Sequence, residues 1–376
     1  MRILIAGGGT GGHIYPAIAI ANRIREEYPD WEILFVGTKR GLEYKLVPEA
    51  GYRIQLVRVS GFKRRLSLDT FKSVKDLFDG LKDARKVIKD FKPDIVIGTG
   101  GYVCGPILWT ASMMQIKTII HEQNVIPGVT NKILGKFVDR IMVSFEDSRK
   151  YFQNSSKIVV TGNPVRKEFI RFDREQSRRN LGIKDNCMLV MSFGGSRGAE
   201  KINEIMKTVV KKMSNKEELQ LIHITGSSHY ELFMKDLEKE NIIIGKNIMI
   251  KPYAHDMPAL MGACDLVICR SGAITLAEIT AMGLPSILIP SPHVTNNHQE
   301  HNARVLEKKG AAVLLLEREL NDKNIVELLS RFTKEKHRLV DMGEKSKLLS
   351  KTDATEIIFS NIMGLLQKSK SRDSYM

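Results

Sequence analysis

The chain has 376 residues, 43% hydrophobic and 27% charged, a balance that excludes a disordered polymer and at this length favours two domains. Lysine and arginine number 58 against 43 acidic residues, a formal net charge of +15, so an acidic partner is expected: nucleic acid, an anionic membrane face or a phosphorylated small molecule. The four cysteines, Cys104, Cys187, Cys264 and Cys269, form no Cys-x-x-Cys pair, which argues against a zinc site or disulfide framework and suits a reducing, cytoplasmic setting.

In chain order, residues 2–6 are a short apolar strand, too short for the core of an export signal. GGGTGGH at 7–13 follows, and then a helical, alanine-rich stretch through residue 24. Gly7, Gly9 and Gly12 fit the G-x-G-x-x-G spacing of dinucleotide enzymes. That reading needs an acid at the tip of the next strand, 32–36, which instead runs into Gly37, Thr38, Lys39 and Arg40. These two cations leave only an NADPH variant open, and no P-loop motif occurs.

Residues 68–84 carry Phe71, Val74, Phe78, Leu81 and Ala84 at helical spacing, flanked by Lys72, Lys75, Lys82 and Arg85. They read either as an amphipathic membrane-surface helix or as a helix whose apolar face is core. Residues 95–116 lack charge for a membrane-span length of 22 residues. Gly98, Gly100, Gly101, Gly105 and Pro106 divide that stretch into a strand, a glycine loop and a short helix. A strand at 118–121 ends in His121, Glu122, Gln123 and Asn124, polar groups at a carboxyl end.

A turn signal at 162–166 (GNPVR) closes this run, and the layout then repeats. Apolar 188–193 ends in GGSRGA at 194–199 and opens a helix over 201–212. Strands at 221–225, 266–269 and 286–289 alternate with helices. The expected fold is α/β, with two Rossmann-like domains whose parallel sheets face an inter-domain cleft. Arg270, Ser271, Gly272 and Ala273 open a helix containing Glu278, whose carboxylate can accept both hydroxyls of a ribose; a solvated helix glutamate is the alternative. Residues 290–303 concentrate Asn296, Asn297, His298, Gln299, His301 and Asn302, an amide density suited to sugar hydroxyls. No third ligand stands beside the two histidines, and no Asp-x-Asp holds a divalent ion, so no metal is expected. Residues 368–376 are polar and basic and read as a frayed end.

GGGTGGH, HEQN, GNPVR, GGSRGA, RSGAITLAE (270–278) and HQEHNA (298–303), in this order over nearly the whole chain, resemble the MurG family of peptidoglycan N-acetylglucosaminyltransferases. The resemblance implies a GT-B fold, UDP-N-acetylglucosamine as donor, a lipid-linked muramoyl-pentapeptide as acceptor, inversion at the anomeric carbon, and neither metal nor cofactor. It implies an acceptor-binding, membrane-docking domain over 1–163, with a C-terminal helix at about 348–370 crossing back to it, and a UDP-sugar domain over 164–347. By the same resemblance Thr10, Gly11 and Gly12 line the cleft near the donor sugar, and Asn124 contacts the N-acetylglucosamine. Arg166 and Ser196 contact the donor, Ser196 near its diphosphate. Ala273, Ile274, Thr275, Leu276, Ala277 and Glu278 hold sugar, diphosphate and ribose. Gln299 binds sugar hydroxyls, and Ala254 offers its backbone to uracil. Arg197 stands where the family commonly has glutamine.

The acceptor hydroxyl must lose a proton as it attacks. His13 is the first candidate for the base, because imidazole titrates near neutrality; Glu122 is the second, and a helix-capping role is the alternative for His13. A lipid-tailed acceptor requires docking on the anionic cytoplasmic membrane face, for which Phe62, Lys63, Arg64, Arg65 and Leu66 are the candidates, with Trp109 either lining the same patch or buried. The rivals are a different lipid glycosyltransferase and a UDP-N-acetylglucosamine epimerase, which would turn over donor alone. Nucleic acid is not expected as a partner, because no zinc-finger, RNP or helix-turn-helix pattern accompanies the charge.

Overall fold

Ile3, Leu4, Ile5 and Ala6 are fully buried, the environment of a strand in a parallel sheet covered by helices on both faces. In the computed structural model, residues 1–59, 69–195 and 198–373 are described, with the side chains of 69–77 and 368–373 left aside. The chain divides into two compact units, Met1–Val165 with Lys351–Met376, and Arg166–Ser350.

The first unit holds β1 (Arg2–Ala6), β2 (Glu32–Gly37), β3 (Arg53–Leu56), β4 (Ile95–Gly98), β5 (Lys117–Glu122), β6 (Arg140–Val143) and β7 (Ile158–Val160). Their order across the sheet is β3-β2-β1-β4-β5-β6-β7, all parallel. Alternate residues of β1 serve two cores. Leu4 and Ala6 pack with Ala84, Ile88, Ile107 and Leu108 on one face. Ile3 and Ile5 pack with Ile14, Ile20 and Ile24 of the helix Gly11–Glu27 on the other. That second core is completed by Ile358, Ile362 and Leu366 of the helix Ala354–Asp373, the last in the chain. Arg23 joins the two helices, bonded to Glu356 at 2.6 Å and lying over the Phe359 ring.

The second unit holds β8 (Met188–Phe193), β9 (Leu219–Ile224), β10 (Ile248–Lys251), β11 (Leu266–Cys269), β12 (Ser286–Leu288) and β13 (Val313–Leu314). The order β10-β9-β8-β11-β12-β13 is again fully parallel. In each sheet the order reverses beside the first strand, between β1 and β4 and between β8 and β11. Open α/β sheets bind ligands outside the carboxyl ends at such switch points.

The two-domain α/β reading holds, and strands β3, β6, β7, β10 and β13 are additions to it. Four of these five are sheet edges, where one side of the ladder is unpaired and sequences such as RIQL and IMIK mix apolar with charged or polar residues. The uncharged stretch 95–116 resolves into β4 and the ten-residue helix Cys104–Met113. No helix among the described residues is long and apolar enough to cross a membrane.

Candidate active site

The first glycine loop leaves β1 and enters the Gly11–Glu27 helix through Thr10, whose extended backbone accepts the amides of His13 and Ile14. Thr10 and Gly12 are exposed, and Gly11 and His13 half-buried, so the loop is open to a ligand on one side. On the other side it already holds an anion. The buried carboxylate of Glu43 accepts from the Gly9 N–H at 2.8 Å, and from the amide and hydroxyl of Thr38 at 2.9 Å each. The Gly9 amide is therefore already taken by a carboxylate on this side of the loop. Sequence reasoning missed Glu43, because a helix-start glutamate carries no local signal of burial.

His13 sits against the loop that follows β4. Its Nδ1 is 3.1 Å from the Thr99 carbonyl and 3.0 Å from Gln123 Oε1. A Cβ at residue 100 would lie 2.5 Å from that nitrogen, and the backbone there has φ +110, so only glycine seats the ring. Glu122 differs from expectation. It is 1% exposed, Oε1 accepts from the backbone and side-chain amides of Asn124, and Oε2 accepts from Gly128 N and Asn131 Nδ2. A carboxylate with four internal donors organises its loop; those surroundings do not suit the second candidate for the base. Asn124 is held beside it, half-buried.

In the second unit, the helix Ala273–Met282 begins directly after β11 and the Arg270, Ser271, Gly272 turn. Its early residues Ile274, Thr275 and Ala277 are half-buried, while Ala273 and Leu276 are buried. Ser271 is buried and donates to the Gln299 carbonyl at 2.8 Å, and Asn302 Nδ2 reaches the Ser271 carbonyl at 3.4 Å. Gln299 Oε1 accepts from Ser291 N at 2.9 Å, which fixes the orientation of its amide. Arg270 donates to the Ile289 carbonyl and pairs with Glu317 in a largely buried ion pair, a brace the sequence did not reveal.

Glu278 projects from the same helix with 16% of its side chain exposed, and Arg166 Nη2 stands 3.6 Å from its Oε1. Burial pushes this acid up to about 7, and the neighbouring guanidinium restrains the rise. Arg166 itself is seated over the Phe169 ring. Ala254 is buried, between exposed Tyr253 and His255, just before Asp256 caps the Met257–Ala263 helix. In the second glycine loop, Gly198 has φ +77 and no room for a side chain against the Thr225 carbonyl. Ser196 lies outside the described residues, as do Phe62, Lys63, Arg64, Arg65 and Leu66.

Two family models match: the glycosyltransferase family 28 N-terminal domain over residues 3–143 and the family 28 C-terminal domain over 189–358. A UDP-N-acetylglucosamine--N-acetylmuramyl-(pentapeptide) pyrophosphoryl-undecaprenol N-acetylglucosamine transferase of Acetivibrio thermocellus is 51% identical, over 98% of this chain and 99% of the relative. The chain belongs to the MurG family. A crystal structure of Acinetobacter baumannii MurG superposes with a TM-score of 0.76 at 26% identity, covering 98% of this chain and 99% of that one. The UDP-GlcNAc 2-epimerase of Neisseria meningitidis shares the fold at a TM-score of 0.68 and 14% identity, covering 97% of this chain and 100% of the other. The two Rossmann-like domains are therefore of the GT-B class, a fold that serves more than one chemistry, and membership of the MurG family rests on sequence over the full length.

Proposed function

We propose that this MurG-family enzyme transfers N-acetylglucosamine from UDP-N-acetylglucosamine to the 4-hydroxyl of an undecaprenyl-diphospho-muramoyl-pentapeptide, with inversion and without a metal. The observation that carries this reading is the 51% identity, over the whole length, with a relative that bears that transferase's name. In this account the first unit receives the acceptor and the second holds the donor.

The acceptor oxygen attacks the anomeric carbon while its proton passes to Nε2 of His13. The bond from that carbon to the diphosphate oxygen breaks, and UDP leaves with the electron pair. His13 fits the base role through its half-buried position beside the open loop of Thr10, Gly11 and Gly12. The amides at the start of the Ala273–Met282 helix, with its dipole, receive the charge that grows on the leaving diphosphate. Glu278 takes the ribose hydroxyls, the Gln299 amide and Asn124 the sugar, Arg166 and Ser196 the donor, and the Ala254 backbone the uracil.

The acceptor's lipid tail requires an enzyme that meets the cytoplasmic membrane face. Besides the candidates at 62–66, the first unit exposes Phe78, Trp109, Met113, Val129, Ile133 and Phe137. The helices that carry Phe78 and Ile133 both pack against the helix carrying Trp109 and Met113. Ala84, Val87 and Ile88 of the 69–91 helix are core, while the side chains of Phe71 and Val74 lie outside those described. Lys82, Arg85 and Lys136 are exposed in the same elements and nearby, and add attraction to anionic lipid.

The test is to follow radiolabel from UDP-N-acetylglucosamine in the presence of a short-chain lipid-linked muramoyl-pentapeptide. Label in the lipid product supports the reading. Conversion of donor alone to its 2-epimer would overturn it.

A further inference from the structure

The polar residues at the end of β5 do more than surround His13. His121 and Gln123 are both buried, and every polar atom of the two side chains has a partner. The roles can be assigned from a group whose role is fixed. The Gly162 carbonyl can only accept, so His121 Nε2, 2.9 Å away, carries the proton and donates. Burial lowers the pKa of His121, so its imidazole is neutral and Nδ1 is an acceptor. Gln123 Nε2 lies 2.9 Å from that Nδ1 and 2.8 Å from the Thr99 carbonyl. Both are acceptors, so the NH2 faces them and the amide cannot turn: the flipped form would press Oε1 against the Thr99 carbonyl. Oε1 therefore points at His13 Nδ1, 3.0 Å away, and this nitrogen also faces the Thr99 carbonyl at 3.1 Å. With an acceptor on each approach, Nδ1 carries the proton.

We propose that His121 and Gln123 are positioning residues for His13, forming with the carbonyls of Gly162 and Thr99 a hydrogen-bonded file that fixes its proton on Nδ1 and its lone pair on Nε2. The proposal rests on the reading of His13 as the base. A base of this kind works only when the correct nitrogen is unprotonated and correctly aimed, which is the service an orienting partner gives a catalytic histidine. The file is anchored at its far end as well. Lys351 and Ala354 pack on Gly162, where a Cβ would lie 2.4 Å from Lys351 Cβ, so the carbonyl that sets the direction of the file is itself held in place.

The direct test is nitrogen NMR of the intact enzyme labelled at histidine nitrogens, with His13→Gln and His121→Gln used only to assign signals. The expected result is opposite tautomers, Nδ1–H at His13 and Nε2–H at His121. A second measurement uses Gln123→Leu: the single tautomer at His13 is lost and kcat falls at least about tenfold, while UDP-N-acetylglucosamine affinity by calorimetry stays within about twofold, since the proposed donor residues of the second unit are untouched. An Nε2–H tautomer at His13 in the wild-type protein, or wild-type kcat in Gln123→Leu, would overturn the proposal. The tautomers are read without turnover, so a failure here is distinct from a failure of the transferase reading, in which wild-type enzyme would not label the lipid acceptor.

Discussion

Glu278 and Arg166 form a long ion pair, 3.6 Å between Oε1 and Nη2, in which burial and the guanidinium act on the carboxyl in opposite directions. Burial prevails, and the acid is held at about 7 against an ordinary value of 4.5. The folded state keeps this proton between those two values while the unfolded chain has released it, so the group's contribution to stability declines as pH rises from 4.5 to about 7.

Donor binding should follow the opposite course. Ribose hydroxyls donate best to the carboxylate, so affinity for UDP-N-acetylglucosamine should tighten as pH rises through about 7 and then level off. Calorimetry between pH 5.5 and 8.5 checks this, with Glu278→Gln expected to bind more weakly and to lose the dependence. Arg166→Ala removes the restraint and should shift the midpoint upward. A flat profile in the wild-type protein would remove Glu278 from the donor site.

One substitution should act with opposite signs at two glycines. Ala at Gly198 imposes a left-handed conformation, φ +77, and puts a Cβ 2.1 Å from the Thr225 carbonyl. The backbone alone costs about 1–2 kcal/mol, and the clash adds to it. Ala at Gly364, inside the last helix and with nothing within 4 Å, should stabilise by about 0.5–1 kcal/mol. Thermal unfolding of the two variants, with Tm lowered in the first and raised in the second, is the check.

The last helix should be structural to the first unit. Ile362 is fully buried against the β1 face, and Ile362→Ala should cost about 2–5 kcal/mol, measured by denaturant unfolding. A loss below about 0.5 kcal/mol would mean that the helix does not share this core.

Membrane docking predicts that Trp109→Ser with Ile133→Ser weakens sedimentation with anionic vesicles, and that Lys63→Glu with Arg64→Glu does so by about 1 kcal/mol or more for each cation removed. Unchanged binding in both double variants would discard the docking surface. Trp109 is 39% exposed, so its replacement disturbs little core.

Much of this architecture was legible because buried parallel strands write themselves as mostly apolar runs, as β1 and β8 do, each followed by glycines. Edge strands such as β3 alternate exposed with half-buried residues and were not legible. At the site, His13 stood out by its glycine loop. Glu122 and Glu43 were harder, because a carboxylate's role depends on donors that arrive from other elements: Asn131 and Gly128 in one case, Gly9 and Thr38 in the other. The same is true of the Gln123 amide, whose orientation is decided by the Thr99 and Gly162 carbonyls, residues distant from one another in sequence.

A metal-independent transfer requires both substrates before UDP is released. UDP release from UDP-N-acetylglucosamine, measured in EDTA with and without a short-chain lipid-linked muramoyl-pentapeptide, tests it most directly. Release is expected only when the acceptor is present, at a rate EDTA does not change. Equal release without acceptor, or none with it while calorimetry still detects donor binding, would rule this transfer out and move the activity to another acceptor or to epimerisation.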